Sequence, residues 1–569
     1  MTVLTVHDLL LWMRCRRQWS RQCRPKPGLR SAPVPQDMIG IANLRETARV
    51  VTFGTGLFGG SHRDLTPEIA REERIPAVAY VLETVSSPEL LSSWGAATDR
   101  ALADHEPFIN GLLRAEDLTF VIDLGWYHSR TGGWELALFR PGTGLRGAFE
   151  DEAAICALTC RNRYLPVSAI HLYYLDKTWR SSGVINFMDA EGREDWKDAF
   201  RESNVTGKAE RRRRRIEQEI QDLRAYLHGE SVISEDYRCR QNCRYCSRIA
   251  DTADTADTDD EARADGTTGT GRDYYDVLTL HKGRHIGREL LSRGIRDIRD
   301  IEPGMCKLTD RQKIQIEVVR SGTPHVDGEK VRAFLENLEW PLLFLDFEAY
   351  SQSVPPVAGV TPYEHVPVIA SIHRQDTPRG KPVEKTYAMS PGRDERAAFF
   401  NWLLEHLEDR GTIVVFSRPF ETAMVRQLAT AGGNETAGQA LIARMVDLLH
   451  PFAAFMVYHP EQRGKVSLKR ILPIYTSSDY GEVNVRDGMH ANLSCTRLAD
   501  QVVAGETEGL LAKAATAAEG ASTYLGRRVP EHLNGAARRE DVVRYCAMDT
   551  LAMVELVDTL WSIAGCDDG

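Results

Sequence analysis

PLLFLDFEAY, residues 341–350, decides how this chain is read. Its opening seven residues form a short apolar run of the kind that makes a buried strand. Asp346 and Glu348 stand at i and i+2 near its end, and the two-residue period of a strand puts both side chains on one face. Two carboxylates held that close repel each other unless a cation intervenes. Hard cations such as Mg²⁺ and Mn²⁺ take carboxylate oxygens and keep waters for chemistry, which makes the pair a candidate metal site. Alone, such a pair is more often a solvated loop edge.

Later segments of the chain change that balance. TIVVF, residues 412–416, is a second short apolar run, and helical patterns cover 394–408, 422–431 and 538–560. Strands alternating with helices predict an α/β domain. After the second strand, FSRPFETAMVRQL (416–428) puts Glu421 beside Phe420 at the start of an apolar helix, where a helix N-terminus favours a carboxylate. Near the end, YCAMD (545–549) spaces Tyr545 and Asp549 at i and i+4, stacked on one helical face. Asp447, in MVDLLHPF, falls in a suitable order too and is read as structural.

DxE on a strand, a later acid after Phe, and YxxxD resemble the DEDD exonuclease superfamily in its tyrosine-bearing branch. The resemblance implies an RNase H-like domain with a mixed sheet flanked by helices, acting as a metal-dependent 3′–5′ exonuclease on DNA or RNA. It implies that Asp346, Glu348 and Asp549 hold one Mg²⁺ or Mn²⁺ ion and that Asp346 bridges to a second. Glu421 would support that second ion through its water shell, and Tyr545 would orient the attacking water. The departure is Glu421, where that superfamily usually has Asp. Ser467-Leu468-Lys469 resembles a segment that opens a substrate-facing helix in such enzymes, which makes Lys469 a candidate phosphate contact.

The N-terminal part carries a different signal. Cys239, Cys243 and Cys246 in CRQNCRYC form a close trio, and Cys15 in LWMRCRRQW is a candidate fourth thiolate. Four thiolates suit a zinc ion or an iron–sulfur cluster, and spacing leaves both open. The arrangement resembles RecB-type nucleases related to the CRISPR-associated exonucleases, and that resemblance implies a [4Fe-4S] cluster pinning the two ends of a PD-(D/E)XK-like domain. Such domains offer an Asp, then a strand with Glu-x-Lys, then a helix with Gln. Here Asp123 in FVIDLGW fits the first, but the strand WELALFR reads Leu138-Phe139-Arg140, and Ile155 stands where Gln is expected. Arg cannot exchange protons as Lys does, so this domain is expected to keep the fold without the cutting activity. Cys156 and Cys160, one helical turn apart, read as core thiols.

Composition bounds these readings. At 569 residues the chain exceeds one hydrophobic core, and 42% hydrophobic with 27% charged residues suits globular domains rather than disorder. The net charge of −10 argues against a uniformly basic nucleic-acid binder. The signs are nonetheless uneven: Arg16 and Arg17 lie in a basic N-terminal stretch, and Arg211 and Arg212 open a run of five arginines. These are candidate contacts for a nucleic-acid backbone, a solvated helix face being the bland alternative. DTADTADTDDEARADGTTGTG, residues 251–271, cannot bury enough apolar surface to fold alone. The expected organisation is a RecB-like domain over 1–249, an acidic linker over 250–272, a helical connector over 273–335 and the RNase H-like domain over 336–569.

That order resembles a little-characterised bacterial family that fuses a RecB-like to an RNase H-like domain, through LDFEAY, VTPYEHVPVIASIHR, VDLLHPF, YHPEQRGKVSLKRILP and YCAMDT. No apolar run approaches the ~18 to 20 residues of a membrane span, and the first residues lack the features of a signal peptide. A cytoplasmic protein with nucleic acid as partner and no membrane association is the expectation. A different class of reading is a catalytically inactive nucleic-acid-binding scaffold stapled by the cluster.

Overall fold

The structure is a computed structural model. It describes residues 4–14, 16, 50–51, 63–67, 88–183, 198–233, 275–390, 393–476, 485, 491–492, 494–495 and 539–565. The fold is mixed α/β. The chain divides into two compact units: Met1–Cys246 with Ser351–Glu364 belong to the first, and Ser247–Tyr350, His365–Leu498 and Ala537–Gly569 form the second. The expected linker, Cys15, Arg17, Cys239, Cys243 and Cys246 lie outside the described residues.

The first unit is built on one sheet. Strands β1 (Leu4–Thr5), β2 (Arg63–Asp64), β3 (Phe108–Ala115), β4 (Leu118–His128), β5 (Gly133–Arg140), β6 (Val167–Leu175) and β7 (Phe200–Asn204) run in the order β2-β3-β4-β5-β6-β7, with β1 pairing β4. Helices α1 (Val6–Arg14), α2 (Pro88–Ala103), α3 (Gly147–Asn162) and α4 (Thr206–Leu227) accompany it. Leu112, Phe120, Ile122 and Leu136 from the strands meet Trp12, Ile155 and Ile216 from the helices in one buried cluster. Cys156 and Cys160 are buried there as free thiols, as their spacing suggested.

In the second unit, α5 (Arg284–Ser292), α6 (Asp310–Ser321) and α7 (Gly328–Glu336) fill the connector region, and a two-residue strand β8 (His325–Val326) separates the last two. α6 starts at a capping box, in which the Thr309 side chain accepts from the Gln312 N–H and the Gln312 side chain returns the bond. The main sheet comprises β9 (Leu342–Ser351), β10 (His365–Gln375), β11 (Val383–Ala388), β12 (Thr412–Val415) and β13 (Met445–Asp447), in the order β11-β10-β9-β12-β13. β12 is parallel to both β9 and β13, whereas β11 is antiparallel to β10. A short β14 (Val457–Tyr458) pairs β8.

Among the described residues, six more helices belong to the unit: α8 (Arg396–Leu407), α9 (Arg418–Ala431), α10 (Glu435–Ala443), α11 (Leu449–Ala453), α12 (Leu468–Tyr475) and α13 (Arg539–Ile563). The sheet separates two cores by strand alternation. Leu343, Leu345, Phe347 and Ala349 of β9 face a cluster holding Phe399, Leu403 and Val425, and Leu342 and Phe344 face one holding Ile471, Met553 and Leu556. Thr550 fastens α13 to β10, its Oγ1 lying 2.8 Å from His373 Nδ1 and 3.1 Å from Ser371 Oγ. Gly411 is obligatory at the entry to β12: its φ is +82°, and a Cβ there would sit 2.1 Å from the Pro341 carbonyl oxygen.

Candidate metal centre

The alternation of β9 places its acids. Leu342 and Phe344 face the core under α12 and α13, and Asp346 and Glu348 continue that same face. β9 lies between β10 and β12, so the chain departs to opposite sides from neighbouring strand ends. Crevices at such a switch of strand order are where open α/β sheets bind ligands.

α13 brings the third acid. One carboxylate oxygen from each of Asp346, Glu348 and Asp549 lies within 4.8 Å of the other two. Glu348 is 6% exposed and Asp549 8%. Burial first, and then Asp549, hold the Asp346 carboxyl well above its ordinary range. For Glu348 the same upward push comes from burial, then from Asp346 and Asp549, with Lys469 opposing it.

Glu421 completes the group from another direction. α9 starts at Arg418, earlier than the apolar pattern from 422 suggests, because Pro419 occupies its opening turn and Asp447 caps it. Asp447 Oδ1 accepts the Ser417 N–H at 3.0 Å and Oδ2 the Arg418 N–H at 3.0 Å, while Oδ1 also accepts from Leu449 N at 3.0 Å. That spends Asp447 on local architecture, as its reading as structural expects. Glu421, in the first turn of α9, is 1% exposed, and its Oε2 has no hydrogen-bond partner among the described residues. Burial raises its carboxyl well above the ordinary range, and Asp346, Glu348, Asp549 and Asp447 each add to the rise.

Buried carboxylates that raise one another's proton affinity form a cage with negative potential and oxygen donors only. The donor set fits a hard divalent cation, and an orphaned buried oxygen such as Glu421 Oε2 is what a further ion or its water shell would satisfy. Two aromatic and cationic groups border the cage. Tyr545, one turn before Asp549 on α13, is 4% exposed, and Lys469 Nζ of α12 stands 4.5 Å from its ring centroid.

Two thiols at this cage went unseen in the sequence. Cys546 Sγ lies 3.4 Å from Asp346 Oδ2 and 3.5 Å from the Asp346 carbonyl oxygen. Burial and then Asp346, Glu348 and Asp549 push its pKa well up, so it is a neutral donor. Cys495 is buried, and burial followed by Glu348 raises its pKa as well. Neither Cys546 nor Cys495 stands in a sequence pattern that marks it.

In the first unit, Asp123 on β4 accepts the Phe139 N–H at 2.8 Å and Arg140 Nη1 at 2.8 Å. Arg140 also pairs through Nε with Glu152 of α3. Burial raises the Asp123 carboxyl, and the Arg140 guanidinium acts against that rise. Leu138 and Ile155 are fully buried among apolar neighbours.

Two of the candidate nucleic-acid contacts already have intramolecular partners. Arg16 binds Glu219 at 3.2 Å and Asp222 at 2.6 Å, with its guanidinium 4.9 Å over the Trp12 ring. Arg212 binds Glu150 at 2.5 Å and Asp151 at 2.7 Å. Arg211 forms no ion pair among the described residues.

The sequence model of a family described as a domain of unknown function (DUF2779) matches residues 343–467. This stretch begins within β9, just before Asp346, and ends before α12 and α13. No curated protein and no solved structure matches the chain. Among the described residues, no helix is long and apolar enough to cross a membrane.

Proposed function

We propose that the second unit is a metal-dependent nuclease hydrolysing phosphodiester bonds of DNA or RNA, with the 3′–5′ exonuclease polarity that its resemblance to the tyrosine-bearing DEDD enzymes implies. The observation that carries this reading is the meeting of Asp346, Glu348 and Asp549 within 4.8 Å across a strand and a distant helix. A mixed sheet flanked by helices, with the acid pair on its central strand, supports the RNase H-like assignment.

Asp346, Glu348 and Asp549 would hold one Mg²⁺ or Mn²⁺ ion, and Asp346 with Glu421 would serve the second. Bound there, the ions supply the Lewis acidity that stabilises charge on the attacking and leaving oxygens of the phosphate. Tyr545 presents a phenol at the cage edge and positions the attacking water. Lys469, held over that ring, is placed to meet a phosphate oxygen. α13 contributes Tyr545 and Asp549 on one face, so a single rigid element sets the distance between the water-positioning group and the cage.

The salt-bridged trio of Asp123, Arg140 and Glu152 supports a first unit of RecB type that no longer cuts. Its guanidinium supplies internally the positive charge that a metal would otherwise bring. The unit's remaining role is to hold nucleic acid, with the four cysteines carrying an iron–sulfur cluster or zinc.

The test is digestion of end-labelled single- and double-stranded DNA and RNA by the full chain. Cleavage is expected with Mg²⁺ or Mn²⁺, none in chelator, and background levels for Asp346→Ala and Asp549→Ala. Digestion undiminished in both variants would remove the site assignment. Chelator-resistant binding with no cleavage of any polymer would favour the inactive scaffold.

A further inference from the structure

A cavity of about 890 Å³ lies in the second unit between α5 and the start of α6, within the connector. Its volume falls in the ~300–1,000 Å³ range of small-molecule sites. Its floor is unusual for a connector, since His281 is 7% exposed and its Nε2 has no hydrogen-bond partner among the described residues. A buried nitrogen without a partner carries an unrecovered desolvation cost, and a ligand atom would relieve it.

The backbone around His281 is clamped rather than loose. Its N–H donates to Gln315 Oε1 at 2.7 Å, and its carbonyl accepts from Gln312 Nε2 at 2.8 Å, both glutamines being buried in α6. Phe455 meets the imidazole edge-on, with ring centroids 4.9 Å apart. Lys282 follows at a φ of +48°, in the left-handed region.

Around this ring stand Lys282, His285, Lys307 and Arg311, all lining the cavity and all exposed. None of the four forms an ion pair among the described residues. One of the two acids on the wall, Asp310, is already engaged by Lys313 at 2.8 Å. Burial, with Lys282 and Arg311 adding to it and the Gly464 backbone opposing, keeps His281 below its ordinary pKa, so the ring is neutral. The cavity therefore combines three cationic side chains, Lys282, Lys307 and Arg311, against the carboxylates of Glu289 and Asp310, with a buried neutral nitrogen among its lining.

We propose that this cavity binds a phosphate monoester of nucleotide size, its phosphate held by Lys282, Lys307 and Arg311 and its less polar body reaching His281. Charge-assisted bonds from Arg and Lys are the strong contacts for such an anion. The cavity shares no lining residue with the carboxylate cage.

Calorimetric titration of the full chain with adenosine 5′-monophosphate, inorganic phosphate and adenosine tests it. Saturable binding of the monophosphate is expected, weakened at least tenfold in a Lys307→Ala, Arg311→Ala double variant and unchanged in Asp346→Ala. Both substituted side chains are exposed, and thermal melting verifies that the double variant folds. Phosphate binding as tightly as the nucleotide would assign the affinity to the anion alone and still support the site. The proposal is overturned if the monophosphate does not bind, if the double variant binds it as before, or if adenosine binds equally well. Loss of binding in Asp346→Ala with the double variant unaffected would move the ligand to the carboxylate cage and overturn it too. Because nucleotide binding is read directly, failure here leaves the nuclease reading standing, and absence of cleavage leaves this site standing.

Discussion

Lys469 Nζ stands 4.5 Å from the ring centroid of Tyr545, joining α12 to α13 at the edge of the carboxylate cage. A cation over an aromatic face contributes about 0.5–2 kcal/mol according to its solvent exposure. Lys469→Ala should lose that and, with the positive charge gone, let the Glu348 carboxyl rise further. Tyr545→Phe keeps the ring and the cation contact while removing the hydroxyl. If Tyr545 positions water, this variant should lower kcat by ten- to a hundredfold with KM little changed and melting unaltered. Equal kcat in Tyr545→Phe would leave the tyrosine as packing.

Ion-free stability should fall as pH rises. Asp346, Glu348 and Glu421 bind protons more tightly folded than unfolded. Their penalty is therefore absent below the ordinary carboxylate range and grows as pH climbs from ~4 towards their raised values. Melting in chelator should be lower at pH 8 than at pH 6, and Mg²⁺ or Mn²⁺ should remove most of the difference. Glu421→Gln should raise the ion-free melting temperature and flatten this slope; a lower melting temperature would count against electrostatic strain in the cage.

Arg140→Ala should be the most damaging single change in the first unit. It leaves Asp123 and Glu152 buried without their cation, a loss of about 3–5 kcal/mol. Urea unfolding of the full chain, followed by fluorescence, should show one transition shifted and the other unmoved. Asp123→Asn should leave cleavage by the chain unaffected, and a loss of activity there would restore a catalytic role to the first unit.

Asp447→Ala should cost about 1–2 kcal/mol through its three backbone bonds at the start of α9 and α11. Asp447→Asn should recover part of that. Ion affinity, measured by Mn²⁺ titration, should change far less than in Asp549→Ala. A comparable collapse would make Asp447 a ligand.

Cys546→Ser substitutes a stronger donor to Asp346 and should melt close to the parent, whereas Cys546→Ala removes the donor and should lose up to about 1 kcal/mol. Differential scanning calorimetry separates the two. Identical melting would mean that the thiol contact contributes nothing.

The strand from residue 341 was legible because a strand buried on both faces reads as a short continuous apolar run. Leu342, Phe344, Asp346 and Glu348 share one face in the structure as the period of two requires. Helical periodicity likewise marked α8, α9 and α13 to within a few residues. The strand order was not legible, since β10 and β12 flank β9 through contacts that no local pattern records. Nor was the membership of Ser351–Glu364 in the first unit, where Val354 joins Phe139 and Tyr173 in a core. Arg140 was read as a poor fit to a cutting site, but its pairing with Glu152 required knowing how β5 and α3 pack. Cys546 was hidden because a cysteine in a helix usually reports packing rather than a neighbour's carboxylate.

Asp346 and Asp549 belong to the opening strand of their sheet and to the last described helix, and the carboxylate cage needs both. During synthesis the strand emerges long before the helix exists, so a growing chain presents half a ligand set with little grip on a divalent ion. On the proposed reading, ion capture waits until α13 has left the ribosome, and a nascent fragment that stops short of it lacks the Asp549 ligand.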